Sequence, residues 1–167
     1  MQICLLRHAI AADLSPDILR DEDRPLTKKG VEKIRLGALG MARMGLRFDR
    51  ILTSPILRAR QTAEIVAEAL KADDLLTLAK ELGFGFSCQA VCGLLERGNF
   101  GDSVLLVGHQ PDLGMLGGWL LGGNDLPLRK GALALIEVLG APEPRSGVLH
   151  WLLAPRQLRA LGSGSWQ

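Results

Sequence analysis

Short apolar runs alternate along most of this chain with stretches whose apolar residues recur at helical spacing. The first run, residues 2–6, is almost wholly apolar and ends in Arg7-His8-Ala9, which predicts a central strand buried on both faces. Residues 10–24 mix Asp, Ser, Pro and Glu with little period and read as a long loop beside that strand end. Thr27 is a credible N-cap for a helix whose buried stripe is Val31, Ile34, Ala38, Met41 and Ala42, although Gly37 and Gly40 weaken it. A short strand at 50–53 runs into Ser54-Pro55, where Ser54 can cap and Pro55 suits the first turn of a second helix. Its buried face is Ala59, Ala63, Val66 and Leu70, which puts Arg58 in the first turn, with Gln61-Thr62 one turn further along the same edge.

Residues 75–78 form a further candidate strand, and 87–97 a helix with Cys88, Val91, Cys92 and Leu95 turned inward. The run 103–107 is again a strand and ends in Gly108-His109. Residues 111–121 predict a helix packed closely through its glycines, and 132–139 and 148–153 two more strands. This alternation predicts an α/β fold, a single-domain three-layer α/β/α arrangement with a mostly parallel central sheet. There is no repeat or linker, so one domain is expected over 1–160. Residues 161–167, which include Gly162-Ser163-Gly164-Ser165, are expected to be a disordered tail.

Composition narrows the function classes. A chain of 167 residues with 47% hydrophobic content can bury one core of ordinary size. A net charge of +2 is too weak a bias to indicate nucleic acid, and 4% aromatic content leaves few platforms for stacked bases. The 3 cysteines, Cys4, Cys88 and Cys92, read as small buried hydrophobes in a reducing compartment. Residues 113–123 are apolar but too short and too broken by glycine to span a bilayer, and the first strand begins without a charged leader. A cytoplasmic protein without membrane or nucleic-acid partners is expected.

The candidate chemistry is concentrated at strand ends. Of 3 histidines, His8 and His109 each follow a strongly apolar strand, while His150 sits in a late apolar run and reads as a packing or surface residue. Open α/β sheets build their sites at such strand ends, so both imidazoles, Arg7 and an arginine of the 53–62 segment can meet in one crevice. That cluster would repel itself unless it held a strongly anionic group, and guanidinium forks suit a phosphoryl group best.

Four ordered motifs carry a resemblance. Arg7-His8-Ala9, Arg24-Pro25-Leu26-Thr27, Ser54-Pro55 followed by Arg58 and Gln61-Thr62, and Val107-Gly108-His109-Gln110-Pro111 together resemble the histidine phosphatase superfamily, which is phosphoglycerate mutase-like. The similarity extends over residues 1 to about 158, and the small size looks like the short SixA-type branch that dephosphorylates protein phosphohistidine. The first motif of the family commonly ends in glycine where this chain has Ala9, so the backbone there should need no positive φ.

The resemblance implies a metal-independent phosphatase without a cofactor. His8 would be the nucleophile and would form a phosphohistidine intermediate, with Arg7, Arg58 and His109 clamping the phosphoryl oxygens. The family motif matches Arg58, and Arg60 is expected to face solvent. Larger members carry a glutamate after the third strand, which makes Glu81 the candidate proton donor, with an ordinary loop carboxylate as the alternative. The acidic run Asp21-Glu22-Asp23 reads as a solvated loop. Between Leu70 and Ser103 there is room for one strand and one short helix but no helical lid, so an open site is expected. Such a site suits a phosphorylated protein. A phosphatase for a small phosphoester and a non-catalytic phosphate-recognition module remain the alternatives.

Overall fold

All six predicted strands form and join one sheet. The computed structural model describes residues 1–164, with strands β1 (Gln2–Arg7), β2 (Arg50–Thr53), β3 (Leu76–Leu78), β4 (Ser103–Gly108), β5 (Leu133–Val138) and β6 (Gly147–Leu153). The sheet order is β3-β2-β4-β1-β5-β6. Strands β3, β2, β4 and β1 run parallel, β5 is antiparallel to β1, and β6 is antiparallel to β5. The helices are α1 (Lys28–Arg43), α2 (Leu57–Leu70), α3 (Cys88–Gly98), α4 (Asp112–Leu121) and α5 (Pro155–Ser163). The fold is a single-domain α/β sandwich with a mostly parallel sheet.

Alternation along the central strands divides the core into two layers. On one face Ile3, Leu5, Val104 and Leu106 pack under Val91 and Leu95 of α3 and Leu113, Leu116 and Leu120 of α4. On the other, Cys4, Leu6, Leu105 and Val107 pack under Ile34 and Met41 of α1, Ala63 and Val66 of α2, and Leu158 of α5. Both faces of β1 and β4 are therefore dry, which explains why these strands read as unbroken apolar runs. Burial of the Cys4 and Cys92 thiols pushes each up to about 12.

Two local expectations change. Ser54 does not cap α2, whose N-cap is Ile56; the Ser54 hydroxyl accepts from the Ile56 N–H at 3.3 Å and also lies 2.9 Å from His109 Nε2. The expected disordered tail is ordered in part, because Leu161 to Ser163 complete α5 and Gly164 caps it, while 165–167 lie outside the described residues. Helix α5 spans only 9 residues, amphipathic but with only Leu158 and Gly162 buried. Its signals are Pro155 at the first helical position and Gln157, whose side chain accepts from the Ala154 N–H at 2.7 Å.

The glycines of α1 and α5 are contact residues. A Cβ at Gly40 would collide with the Leu158 carbonyl, and one at Gly162 with the Leu36 carbonyl. Gly40 thus weakens α1 as an isolated helix but lets α5 approach backbone to backbone. Ala9 is not among the positive-φ residues, as expected. Among the described residues, no helix is long and apolar enough to cross a membrane.

Candidate active site

Strand register builds the site. Arg7 of β1 pairs with Gly108 of β4, so the next residue of each strand, His8 and His109, leaves the sheet beside the other. The His8 N–H still donates to the Gly108 carbonyl at 3.0 Å, and the two imidazole centroids lie 5.2 Å apart. Strand β2 flanks β4 on its other side, with Thr53 opposite Val107 and the Ser54 N–H donating to the Val107 carbonyl at 2.9 Å. Helix α2 starts three residues later, and from its first turn the Arg58 Nε–H donates to His8 Nε2 at 3.3 Å.

His8 is held in one tautomer. Its Nδ1 lies 2.7 Å from the Ala9 carbonyl, which can only accept, so the proton sits on Nδ1 and Nε2 keeps its lone pair toward Arg58. The Ala9 N–H donates to Thr62 Oγ1 at 3.1 Å, and that hydroxyl donates to the Arg58 carbonyl at 2.7 Å. Thr62 therefore locks the His8 loop to the helix that carries Arg58. Gln61 does the same for the next loop, its Oε1 accepting from the Leu26 N–H at 2.7 Å.

Burial sets the charge state of both imidazoles. Desolvation pushes His8 down to about 4, with the Arg58, Arg7 and Lys130 charges adding to it against the hydrogen bond to Ala9. His109 is pushed down to about 3 by desolvation and by His8, Arg58 and Arg7, with Asp21 opposing. Both rings are neutral near pH 7, which suits a nucleophile. His109 Nε2 lies 2.9 Å from Ser54 Oγ, and its buried Nδ1 has no hydrogen-bond partner among the described residues. A bound phosphoryl group would offset these effects and favour a protonated His109.

Arg7 is anchored through Nη1, which donates to the Leu128 carbonyl at 2.8 Å, while its buried Nε has no partner among the described residues. Desolvation and the Arg58 charge lower its pKa. Two further residues were missed at the level of sequence. Phe84 lies against the cluster, its ring centroid 4.5 Å from that of His109 and 5.1 Å from the guanidinium carbon of Arg58. The turn that carries it is tied to α4 by the Gly85 N–H, which donates to Asp112 Oδ2 at 3.1 Å. The available signal is an aromatic residue between Gly83 and Gly85, in the turn that follows edge strand β3.

Asp21 is the second. Arg58 donates through Nη2 to Asp21 Oδ2 at 2.7 Å and through Nη1 to the Asp21 carbonyl at 2.6 Å, and Arg24 donates to Oδ1 at 2.7 Å. These bonds hold the Asp21 carboxyl below the usual carboxylate range. Asp21 is thus part of the cluster and not a merely solvated loop residue. The expectation of an open site also changes: with Asp21 and Phe84 beside them, His8, Arg58 and His109 are only 5%, 4% and 2% exposed.

The remaining candidates are placed as follows. Glu81 is half-buried in the single 3-10 turn Lys80–Leu82 after β3, without a hydrogen bond or ion pair to a described residue. Arg60 is exposed, 3.5 Å from Glu64, and His150 pairs with Glu137 at 2.7 Å on the outer strands. The segment from 71 to 102 holds β3, the turn and α3, without a helical lid. Among the described residues, no group of three or more His, Cys, Asp or Glu side chains is gathered as metal ligands.

This arrangement has known counterparts. A protein of Picosynechococcus is 43% identical over 128 residues, covering 68% of this chain and 69% of its own length. The phosphohistidine phosphatase SixA of Escherichia coli is 30% identical over 164 residues, which is 95% of this chain and 97% of that protein. A solved structure of the protein histidine phosphatase SixA complexed with tungstate superimposes with a TM-score of 0.82 at 29% identity, covering 95% of this chain and 99% of the other. Residues 3–85 match the histidine phosphatase superfamily (branch 1), and with a relative aligned along nearly its whole length and four motifs converging on one cluster, the chain belongs to that superfamily.

Proposed function

We propose that this protein is a phosphatase that works through a phosphohistidine on His8 and acts on phosphohistidine of another protein. The observation that carries the reading is the fixed tautomer of His8: Nδ1–H is bound to the Ala9 carbonyl, and the Nε2 lone pair lies among arginines. In the first step Nε2 forms a bond to phosphorus as the bond from phosphorus to the leaving nitrogen breaks, and that nitrogen takes a proton from Glu81 or from solvent. Water then attacks the same phosphorus, releasing phosphate and returning the electron pair to Nε2. Arg7, Arg58 and His109 bind the equatorial oxygens throughout, and removal of one such donor typically costs about a hundred- to a thousandfold in rate.

Likeness along the whole chain to a phosphohistidine phosphatase and to a structure that holds an oxyanion supports this substrate class. The short 71–102 segment supports it too: it adds no helical lid, and Asp21 and Phe84, which cover the recessed cluster, are each about half exposed themselves. A trapping experiment with labelled substrate tests the reading: an acid-labile, base-stable phosphoprotein should accumulate in the wild type and vanish in His8→Ala. A panel of phosphohistidine protein, sugar phosphates and nucleotide phosphates fixes the class, and faster turnover of a small phosphoester than of the phosphoprotein would reverse the assignment. Activity is expected to survive EDTA.

A further inference from the structure

Beside the catalytic cluster lies a cavity of about 440 Å3 that the mechanism above does not use. Arg7 and Ala9, the two neighbours of His8, form one wall. Lys33 of α1, Arg129 and Lys130 of the loop before β5, and Arg159 of α5 form the rest, with an apolar floor of Ile10, Ile34 and Pro155. No carboxylate lines it. Among the described residues none of Lys33, Arg129, Lys130 and Arg159 has an ion-pair partner, although Asp and Glu side chains answer Arg20, Arg24, Arg58 and Arg60 elsewhere. Lys130 lies near enough to His8 to help lower its pKa, which puts the cavity and the nucleophile in one electrostatic field.

We infer that this cavity is a second anion site, which takes carboxylate side chains flanking the phosphorylated residue of a protein substrate. The inference rests on the phosphoprotein reading of the catalytic cluster. Like charges gathered without counter-charges focus a field that attracts an anion and steers it on approach. A single phosphate would want donors converging on one point. Here the cations stand on three separate segments around an apolar floor, an arrangement that fits several carboxylates carried on aliphatic stems. The mouth adjoins Arg7, so a segment phosphorylated at one residue and acidic at its neighbours can occupy both sites together.

The test compares three phosphohistidine peptides of identical core, flanked by Glu, Gln or Lys, with p-nitrophenyl phosphate as the small substrate. In the wild type at low salt, KM for the Glu-flanked peptide should be about tenfold below that for the Lys-flanked one, and the gap should close as salt is raised. In the double variant Lys33→Gln/Arg159→Gln that preference should shrink to about twofold, with kcat on every peptide and turnover of p-nitrophenyl phosphate unchanged. The exposed Arg129→Glu, a substitution with little risk to folding, should weaken the Glu preference by itself. Equal KM values for the three flanks in the wild type would overturn the inference, as would a proportional loss of p-nitrophenyl phosphate turnover in the folded double variant. If the wild type hydrolyses none of the peptides, the phosphoprotein reading fails. The cavity is then judged by fluorescence anisotropy of the unphosphorylated Glu- and Lys-flanked peptides, where equal binding refutes it and a Glu preference lost in the double variant sustains it.

Discussion

Arg58 donates to both the carboxylate and the backbone carbonyl of Asp21, at 2.7 and 2.6 Å, so the guanidinium assigned to grip a phosphoryl group already holds an anion of the protein. A substrate phosphoryl group must compete with Asp21 for the guanidinium donors. Asp21→Ala should therefore lower the inhibition constant of inorganic phosphate by roughly three- to tenfold, the worth of one charge-assisted hydrogen bond partly exposed to solvent. Weaker inhibition by phosphate in this variant would show that Asp21 chiefly positions Arg58.

The depressed imidazoles fix a pH dependence. In the unfolded chain both histidines protonate near 6.5, whereas His8 and His109 in the fold protonate only near 4 and 3. Their contribution is present in full above pH 6.5 and is lost as pH falls from there through 4, because the unfolded state then binds protons that the folded state refuses. Together they make the protein less stable at pH 4.5 than at pH 7 by on the order of a few kcal/mol. Thermal melts across that range check this, and the drop should be smaller in His8→Gln. The acid limb of kcat/KM, which reports the free enzyme, should lie well below 6.5.

Glu81 is tested by leaving-group quality. Glu81→Gln keeps the shape but cannot deliver a proton, so turnover of an alkyl phosphate should fall about a hundredfold, and that of phosphohistidine or an aryl phosphate much less. Equal losses on both substrate types would assign Glu81 to shaping the turn that carries Phe84.

The contact between α1 and α5 predicts a stability effect separate from chemistry. Gly162→Ala would drive a methyl group into the Leu36 carbonyl, an overpacking that should cost about 2–3 kcal/mol and lower Tm by roughly 5–10 °C. The specific activity of the folded fraction at low temperature should persist, because His8, Arg58 and His109 are not carried by these helices. A neutral melting shift would mean that α5 moves easily on α1.

Much of this protein is legible in the sequence because its central elements are locally encoded. Strands such as 2–6 and 103–107, dry on both faces beyond Gln2 and Ser103, must be apolar from there on, and the first polar residues after them, Arg7, His8 and His109, mark the sheet edge where a site forms. Ser54-Pro55 likewise announced a helix start and put Arg58 in its first turn, although it could not say that the serine hydroxyl, which accepts from the Ile56 N–H, would also reach His109 across the site. Helix α5 was hidden because it is only 9 residues long, so its amphipathic pattern spans little more than two turns and buries only Leu158 and Gly162.

What tertiary structure alone decided is how distant segments meet. The parallel register of Arg7 with Gly108 turns two separate strand ends into an imidazole pair. The Ala9 carbonyl chooses the tautomer, and a loop closes 37 residues of chain to seat Asp21 on Arg58. Phe84 beside His109, and the cations of α1, α5 and the 129–130 loop gathered around one cavity without ion-pair partners among the described residues, belong to the same class. Periodicity and capping act within a few residues. These relationships depend on the long-range packing of both sheet faces, which brings together side chains whose local sequence carries no trace of one another.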